Sequence, residues 1–159
     1  MEELSQPFIT SVANGDLQEA ERLIEAGVNP DYKDTQTGET VLNTAVGNLE
    51  MMRLLLKKGA NPNLRGGGEF TPLANAIAEG SLECVELLLD YGADINGWSG
   101  MVGTTPLMDA LIEEQEPIFR FLMIRGADTR VKNRDGEDLA KFASEARRYI
   151  DFKIWAGQY

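Results

Sequence analysis

No histidine occurs among the 159 residues, which removes the commonest general base and the commonest metal ligand. The single cysteine, Cys84, rules out zinc sites of the Cys/His type and permits no intrachain disulfide, as expected of a chain in a reducing compartment such as the cytoplasm. Cys84 lies among apolar helical residues and is expected to be a buried structural thiol. Basic residues are scarce as well: 15 Lys and Arg stand against 26 Asp and Glu, for a net charge of -11. Affinity for nucleic acid rests on cations that neutralise phosphates, so no nucleic-acid partner is expected. No apolar run approaches the ~18 residues of a membrane-spanning helix. The opening Met1-Glu2-Glu3-Leu4-Ser5-Gln6 lacks the basic start and apolar centre of a signal peptide and does not read as one. No membrane partner is expected. The negative excess either keeps the chain soluble or steers in a partner with a basic surface.

Hydrophobic residues make up 43% and charged residues 26%, ordinary for a globular chain of one-domain length. Self-similarity dominates what is present. Gly27, Gly59, Gly92 and Gly126 are spaced by 32, 33 and 34 residues, and the last three head the phrases Gly59-Ala60-Asn61, Gly92-Ala93-Asp94 and Gly126-Ala127-Asp128. Helix openings Thr40-Val41-Leu42, Thr71-Pro72-Leu73 and Thr105-Pro106-Leu107 recur in step, and Asn14-Gly15-Asp16, Gly47-Asn48 and Gly80-Ser81 mark short turns between paired helices. Threonine before a helix can cap free N–H groups, proline at the first helical position has none to lose, and glycine tolerates the left-handed stop. Leu17, Ala20, Leu23 and Ile24, like Leu82, Val85, Leu88 and Leu89, fall at helical spacing. One helix pair cannot bury such a stripe, whereas stacked pairs can.

These phrases and their period resemble ankyrin repeats over residues 4–140. The resemblance implies an all-α solenoid of about five stacked helix pairs joined by β-hairpin-like loops. The expected units are 4–33 as an N-terminal cap, 34–65, 66–99, 100–132, and 133–159 as a divergent C-terminal cap. Within the last, 147–155 mixes charge and aromatics and is expected to form a capping helix, with Trp155 closing the stack. Three departures stand out. Asn43, Ala74 and Met108 occupy the place where the family usually has histidine, so the bracing between repeats must be replaced or lost. Thr40 to Gly59 spans 19 residues against 21 in the two units after it, which predicts a shorter first helix. Glu114-Gln115-Glu116-Pro117 replaces the glycine turn, with Pro117 expected to begin the helix that follows.

Chemistry is hard to place on this frame. Glu113, Glu114 and Glu116 match no calcium-loop pattern and read as a solvated turn rather than catalytic carboxylates. Gly66-Gly67-Gly68 is followed by no Lys-Ser/Thr and reads as a flexible hairpin tip, not a phosphate loop. No cofactor or metal is expected. The resemblance instead implies a groove, lined by hairpin tips and first helices, that binds another protein. Carried over position by position, it includes Tyr32, Thr37, Glu39, Arg65, Phe70, Ala78, Glu79, Trp98, Met101, Val102, Thr104, Ile112 and Glu113. Tyr32, Phe70, Trp98, Met101 and Val102 would form an apolar row rimmed by Glu39, Glu69 and Glu79; alternatively, Trp98 and Met101 fold back over the stack. Residues 68–100 hold six acids and no Lys or Arg, and residues 1–33 hold seven acids against Arg22 and Lys33, which favours a basic partner. The expected function is a monomeric, non-catalytic protein-binding module, with a dedicated inhibitor or immunity protein for a basic enzyme or toxin as the alternative.

Overall fold

The computed structural model describes residues 2–145 and 153–157. Among them the helices are α1 (Glu2–Asn14), α2 (Leu17–Glu25), α3 (Val41–Thr44), α4 (Leu49–Lys57), α5 (Pro72–Ala78), α6 (Leu82–Asp90), α7 (Pro106–Ile112), α8 (Glu116–Ile124) and α9 (Leu139–Glu145). Consecutive helices pack as pairs: α1 on α2, α3 on α4, α5 on α6, α7 on α8. The pairs then stack in two rows, α1-α3-α5-α7-α9 and α2-α4-α6-α8. No strand forms among the described residues, and the connecting hairpins carry only the single antiparallel bridges Lys33–Thr40 and Ser99–Thr104. The all-α repeat stack expected from the sequence is therefore the fold.

Local chemistry starts each helix where the repeated phrases place it. The hydroxyls of Thr40, Thr71 and Thr105 accept from the N–H groups of Asn43, Ala74 and Met108. The side chains of Asp16, Asn48 and Ser81 do the same for α2, α4 and α6. Such caps contribute about 1 kcal/mol each. The α3 helix has four residues where α5 and α7 have seven, as the shorter spacing requires. The glycines of the first three intra-pair turns, Gly15, Gly47 and Gly80, take φ of +72°, +89° and +70°. Glu114 takes the corresponding turn at φ +56°, a conformation that costs a residue with a β-carbon roughly 1 kcal/mol. Pro117 then sits in the first turn of α8.

The core runs the length of the stack. Leu42, Leu73, Ile77, Leu107, Met108 and Leu111 come from the first helices, and Leu23, Met51, Met52, Leu55, Val85, Leu88, Phe119 and Leu122 from the second; all are buried. Each large side chain contributes about 1.5–3 kcal/mol by leaving water. Cys84 is a free, buried thiol among them. Phe8 is fully buried in α1, and at the far end Trp155 meets Phe119 edge-on, with ring centroids 5.5 Å apart. Of the predicted capping helix, residues 147–152 lie outside the described residues.

Two devices stand in for the missing histidines. Asn43, in the histidine position, donates from Nδ2 to the Phe70 carbonyl of the next hairpin at 3.1 Å. At the Ala74 position a hydroxyl from the following hairpin supplies the link: the Thr71 N–H donates to Oγ of the buried Ser99 at 3.0 Å. Beneath the stack runs a ladder. The N–H groups of Asn61, Asp94 and Asp128 donate to the side-chain oxygens of Asp31, Asn63 and Asn96 in the preceding unit, at 2.6, 2.7 and 2.9 Å. Asn63 also donates to the Gly92 carbonyl at 3.0 Å. Arg130 occupies the equivalent place after Asp128, where no further Gly-Ala-Asp phrase follows. Asn63→Ala removes two bonds between units and is expected to lower unfolding stability in urea by about 1–3 kcal/mol. Gln36→Ala at an exposed tip should stay within about 0.5 kcal/mol of wild type. Equal midpoints for the two variants would discount the ladder.

Candidate functional site

The hairpin tips and the ends of the first helices carry the residues expected to meet a partner, and their neighbours set each one's role. Glycine at two tips reflects close approach. A β-carbon on Gly66 would collide with the side chains of Asn43 and Glu39, and one on Gly100 would lie 3.0 Å from the Phe70 ring. The triple glycine is thus a short 3-10 turn (Gly67–Glu69) laid against Glu39 and Thr37, with Gly66 buried. The turn lies at a hairpin tip, and Gly66 and Gly67 pack against the preceding hairpin.

Tyr32 is half-buried against the core rather than standing free in an exposed row. Glu39 accepts from Asn43 Nδ2 at 3.0 Å and braces the glycine turn, so it is held inside the scaffold instead of rimming a patch. Arg65 donates to the Trp98 carbonyl at 2.8 Å and pairs with Glu69 at 3.6 Å. Trp98 follows neither alternative completely: its indole N–H donates to the Lys132 carbonyl at 2.7 Å, yet it remains 41% exposed. Arg65 and Trp98 line a cavity of about 300 Å³ with Asn63, Thr71, Leu73, Asp94 and Gly97. Met101 and Val102 do not fold back over the stack; they are 76% and 58% exposed. Arg134 steadies that tip by donating to the Met101 carbonyl at 3.1 Å.

A second group converges elsewhere. Phe70, Ala78 and Glu113 line a cavity of about 220 Å³ together with Ala74, Asn75 and Asp109. Phe70 is 45% exposed, and Ile112 beside Glu113 is 43% exposed. Thr37 is exposed at its own tip. Glu79, exposed at the end of α5, abuts the α3–α4 turn: a β-carbon on Gly47 would lie 2.8 Å from its Oε2. The expected row is therefore two clusters, one around Trp98 and one between α5 and α7.

Asp109 and Asn75 were missed by sequence reasoning. The available signal was a carboxylate inside the otherwise apolar opening Pro106-Leu107-Met108-Asp109-Ala110-Leu111, with Glu113 four residues on and so on the same helix face. Thr104, taken from the resemblance as a surface residue, donates from Oγ1 to Asp109 Oδ1. Asp109 Oδ2 is shielded from solvent and has no hydrogen-bond partner among the described residues. Burial pushes its carboxyl up to about 6; the Thr104 bond opposes the rise, and the charge of Glu113 adds to it.

The negative field of residues 68–100 is partly balanced from adjoining segments. Arg125 meets Asp90 at 2.8 Å, and Arg65 lies near Glu69. Exposed pairs of this kind contribute at most about 1 kcal/mol. Glu79, Glu83 and Glu86 are exposed and have no ion pair among the described residues.

The raised Asp109 pKa has a stability consequence. The folded value lies above the ordinary aspartate value of 3.8, so folding holds the proton more tightly, and the cost of the buried charge accumulates as pH rises from about 4 through 6. Asp109→Asn removes that charge. It is expected to stabilise the fold by about 1–2 kcal/mol at pH 8, with a margin that narrows as pH falls toward 5. A margin independent of pH across that window would contradict the charge burial.

The family model described as ankyrin repeats (3 copies) matches residues 3–66 and 66–133. The chain is 36% identical over 123 residues to the putative ankyrin repeat protein FPV240 of fowlpox virus, covering 76% of this chain and 30% of that protein. It is 33% identical over 147 residues to human ankyrin repeat and SOCS box protein 6, covering 86% of this chain and 34% of that one. It is 42% identical over 76 residues to the E3 ubiquitin-protein ligase KEG of Arabidopsis thaliana, covering 46% of this chain and 5% of the ligase. The chain thus spans only a minor part of the length of each. Repeats of this kind generally mediate protein–protein interaction, and with both the profile and the stacked helix pairs in agreement, this chain belongs to the ankyrin-repeat family.

Proposed function

We propose that the chain is a non-catalytic module that holds a partner protein on the hairpin tips and first-helix row of its central units. The observation that carries this reading is the apolar surface left on a rigid frame: Met101, Val102, Phe70 and Ile112 are all exposed, and the Phe70 ring adjoins Gly100, next to the tip that bears Met101 and Val102. Large apolar groups at exposed loop tips mark contact surfaces more than scaffold. Glu113 lies beside Phe70 and Ile112, Glu79 is exposed at the end of α5, and the net charge is -11, which supports a partner with a basic surface. Complementary charge chiefly speeds association and makes it salt-sensitive. The tips are tied by hydrogen bonds to neighbouring units before any partner arrives, so little ordering entropy is lost on binding.

In this reading the affinity comes from Phe70, Met101 and Val102. Glu79 and Glu113 steer. Tyr32, Glu39, Arg65, Trp98 and Thr104 position the tips, Trp98 with part of its ring available for contact. The buried free thiol of Cys84 and the charged surface support a monomer working in the cytoplasm.

Affinity capture from the native host at increasing salt tests the reading. The expected result is a basic partner whose capture weakens with salt and falls about tenfold or more with Phe70→Ala plus Met101→Ala, a loss typical of anchor residues. Undiminished capture by that folded variant would exclude this surface. Loss of the partner's own enzymatic activity on binding would mark the chain as an inhibitor, and several partners on one surface would mark an adaptor.

A further inference from the structure

We propose that the cavity between α5 and α7 receives one arginine side chain of the partner, its guanidinium set between the Phe70 ring and the carboxylates of Asp109 and Glu113. The inference rests on the protein-binding reading above and specifies its anchor.

Size, shape and charge all point to this occupant. At about 220 Å³ the cavity is smaller than the ~300–1,000 Å³ of small-molecule sites and suits a single long side chain. Ala74 and Ala78 open it, because larger residues at these positions would fill it. Phe70 supplies an aromatic ring at one wall, Asn75 an amide, and Asp109 and Glu113 two carboxylates from the other wall. No Lys or Arg lines the cavity. Asp109 and Glu113 lie four residues apart on one helix face, where like charges repel. Oδ1 of Asp109 is engaged by Thr104, whereas Oδ2 has no partner among the described residues.

A cation set beside Asp109 and Glu113 relieves the repulsion. Arginine suits the site better than lysine: its planar guanidinium stacks on an aromatic ring and directs several N–H donors at carboxylates in one plane, while an ammonium is a compact point charge. The methylene stem has Ala74 and Ala78 to lie against.

Binding is linked to pH through Asp109. Glu113 is the charge that acts on it from its own helix. α5 carries no ionisable residue. α8, paired with α7, carries Glu116 and Arg120, which are ion-paired with each other at 2.8 Å. The segment leading into α9, the other first-row helix packed on α7, carries Arg134, which is bonded to the Met101 carbonyl, the exposed Asp135, Asp138, which accepts from the Lys141 N–H, and Glu137, which is paired with Lys141 of α9. A guanidinium favours the ionised carboxyl, so affinity falls as pH drops below about 6.

The test is a titration of the full chain followed by amide NMR, with N-acetyl-arginine amide as the probe and its neutral isostere N-acetyl-citrulline amide as the control. The arginine probe is expected to shift amides of residues 74–78 and 109–113 in a saturable way, more weakly at pH 5.5 than at 7.5, and the citrulline probe is not. Asp109→Asn with Glu113→Gln should raise Kd about tenfold. Ala78→Leu, at an exposed position, should block the cavity while leaving both carboxylates in place, which keeps the test valid if the double variant does not fold. Equal responses to arginine and citrulline, shifts confined to other residues, or unchanged affinity in the blocked variant would overturn the proposal. The two readings separate in the capture experiment. A partner retained by the double variant but lost with Met101→Ala and Val102→Ala overturns the arginine pocket and leaves the binding module standing. Absence of any partner sensitive to either set overturns both.

Discussion

No helix pair in this chain can bury its own apolar stripe. Leu42, Leu73 and Leu107 in the first row, and Leu23, Leu55, Leu88 and Leu122 in the second, are buried because a neighbouring pair covers them. Each pair is therefore a surface for the next, and stability passes along the stack as nearest-neighbour interfaces. Burial is non-directional, however, and does not by itself fix how one pair is set on another. The side-chain ladder of Asp31, Asn63 and Asn96 does that, joining the first four units in turn by a directed bond to a backbone N–H.

The same division of labour extends to the tips. Hairpins that carry at most a single bridge each have little structure of their own. They are held from outside, by Asn43 reaching the Phe70 carbonyl, Ser99 bracing Thr71, Arg65 reaching Trp98 and Arg134 reaching Met101. Polar residues that a reader of the sequence assigns to the partner are thus largely spent on the neighbour. What remains in solvent includes large apolar groups, Met101, Val102 and part of Phe70, beside exposed acids such as Glu79 and Glu113. A scaffold that satisfies its polar groups internally and leaves large apolar ones outside is organised for contact with another macromolecule.

Asp109 goes against that economy. A carboxyl on a short helix packed against α5, α8 and α9 is costly to ionise, and its environment raises the pKa while leaving one oxygen without a partner among the described residues. Local departures from good packing logic concentrate where a protein does something beyond folding. Asp109 adjoins the exposed Phe70 and Ile112, so the costly group and the apolar surface occupy one region.

The repeat phrases alone determined the helix pairs, their starts and stops and the family. Those features depend on contacts within a few residues: a threonine cap, a proline in the first turn, a glycine at positive φ. The short α3 was legible from spacing for the same reason. The candidate surface was legible only in part. Phe70, Met101 and Val102 could be placed at tips by register, but whether Tyr32 and Glu39 faced solvent depended on residues about thirty positions away, such as Gly66 and Asn43's second bond to Phe70. The meeting of Asp109 with Phe70, Asn75 and Ala78 across two units likewise has no local signature. Sequence determined what each unit is, because caps and turns are short-range; tertiary structure decided which side chains the stack consumes and which it leaves in solvent, because that depends on what the next unit brings within hydrogen-bond distance.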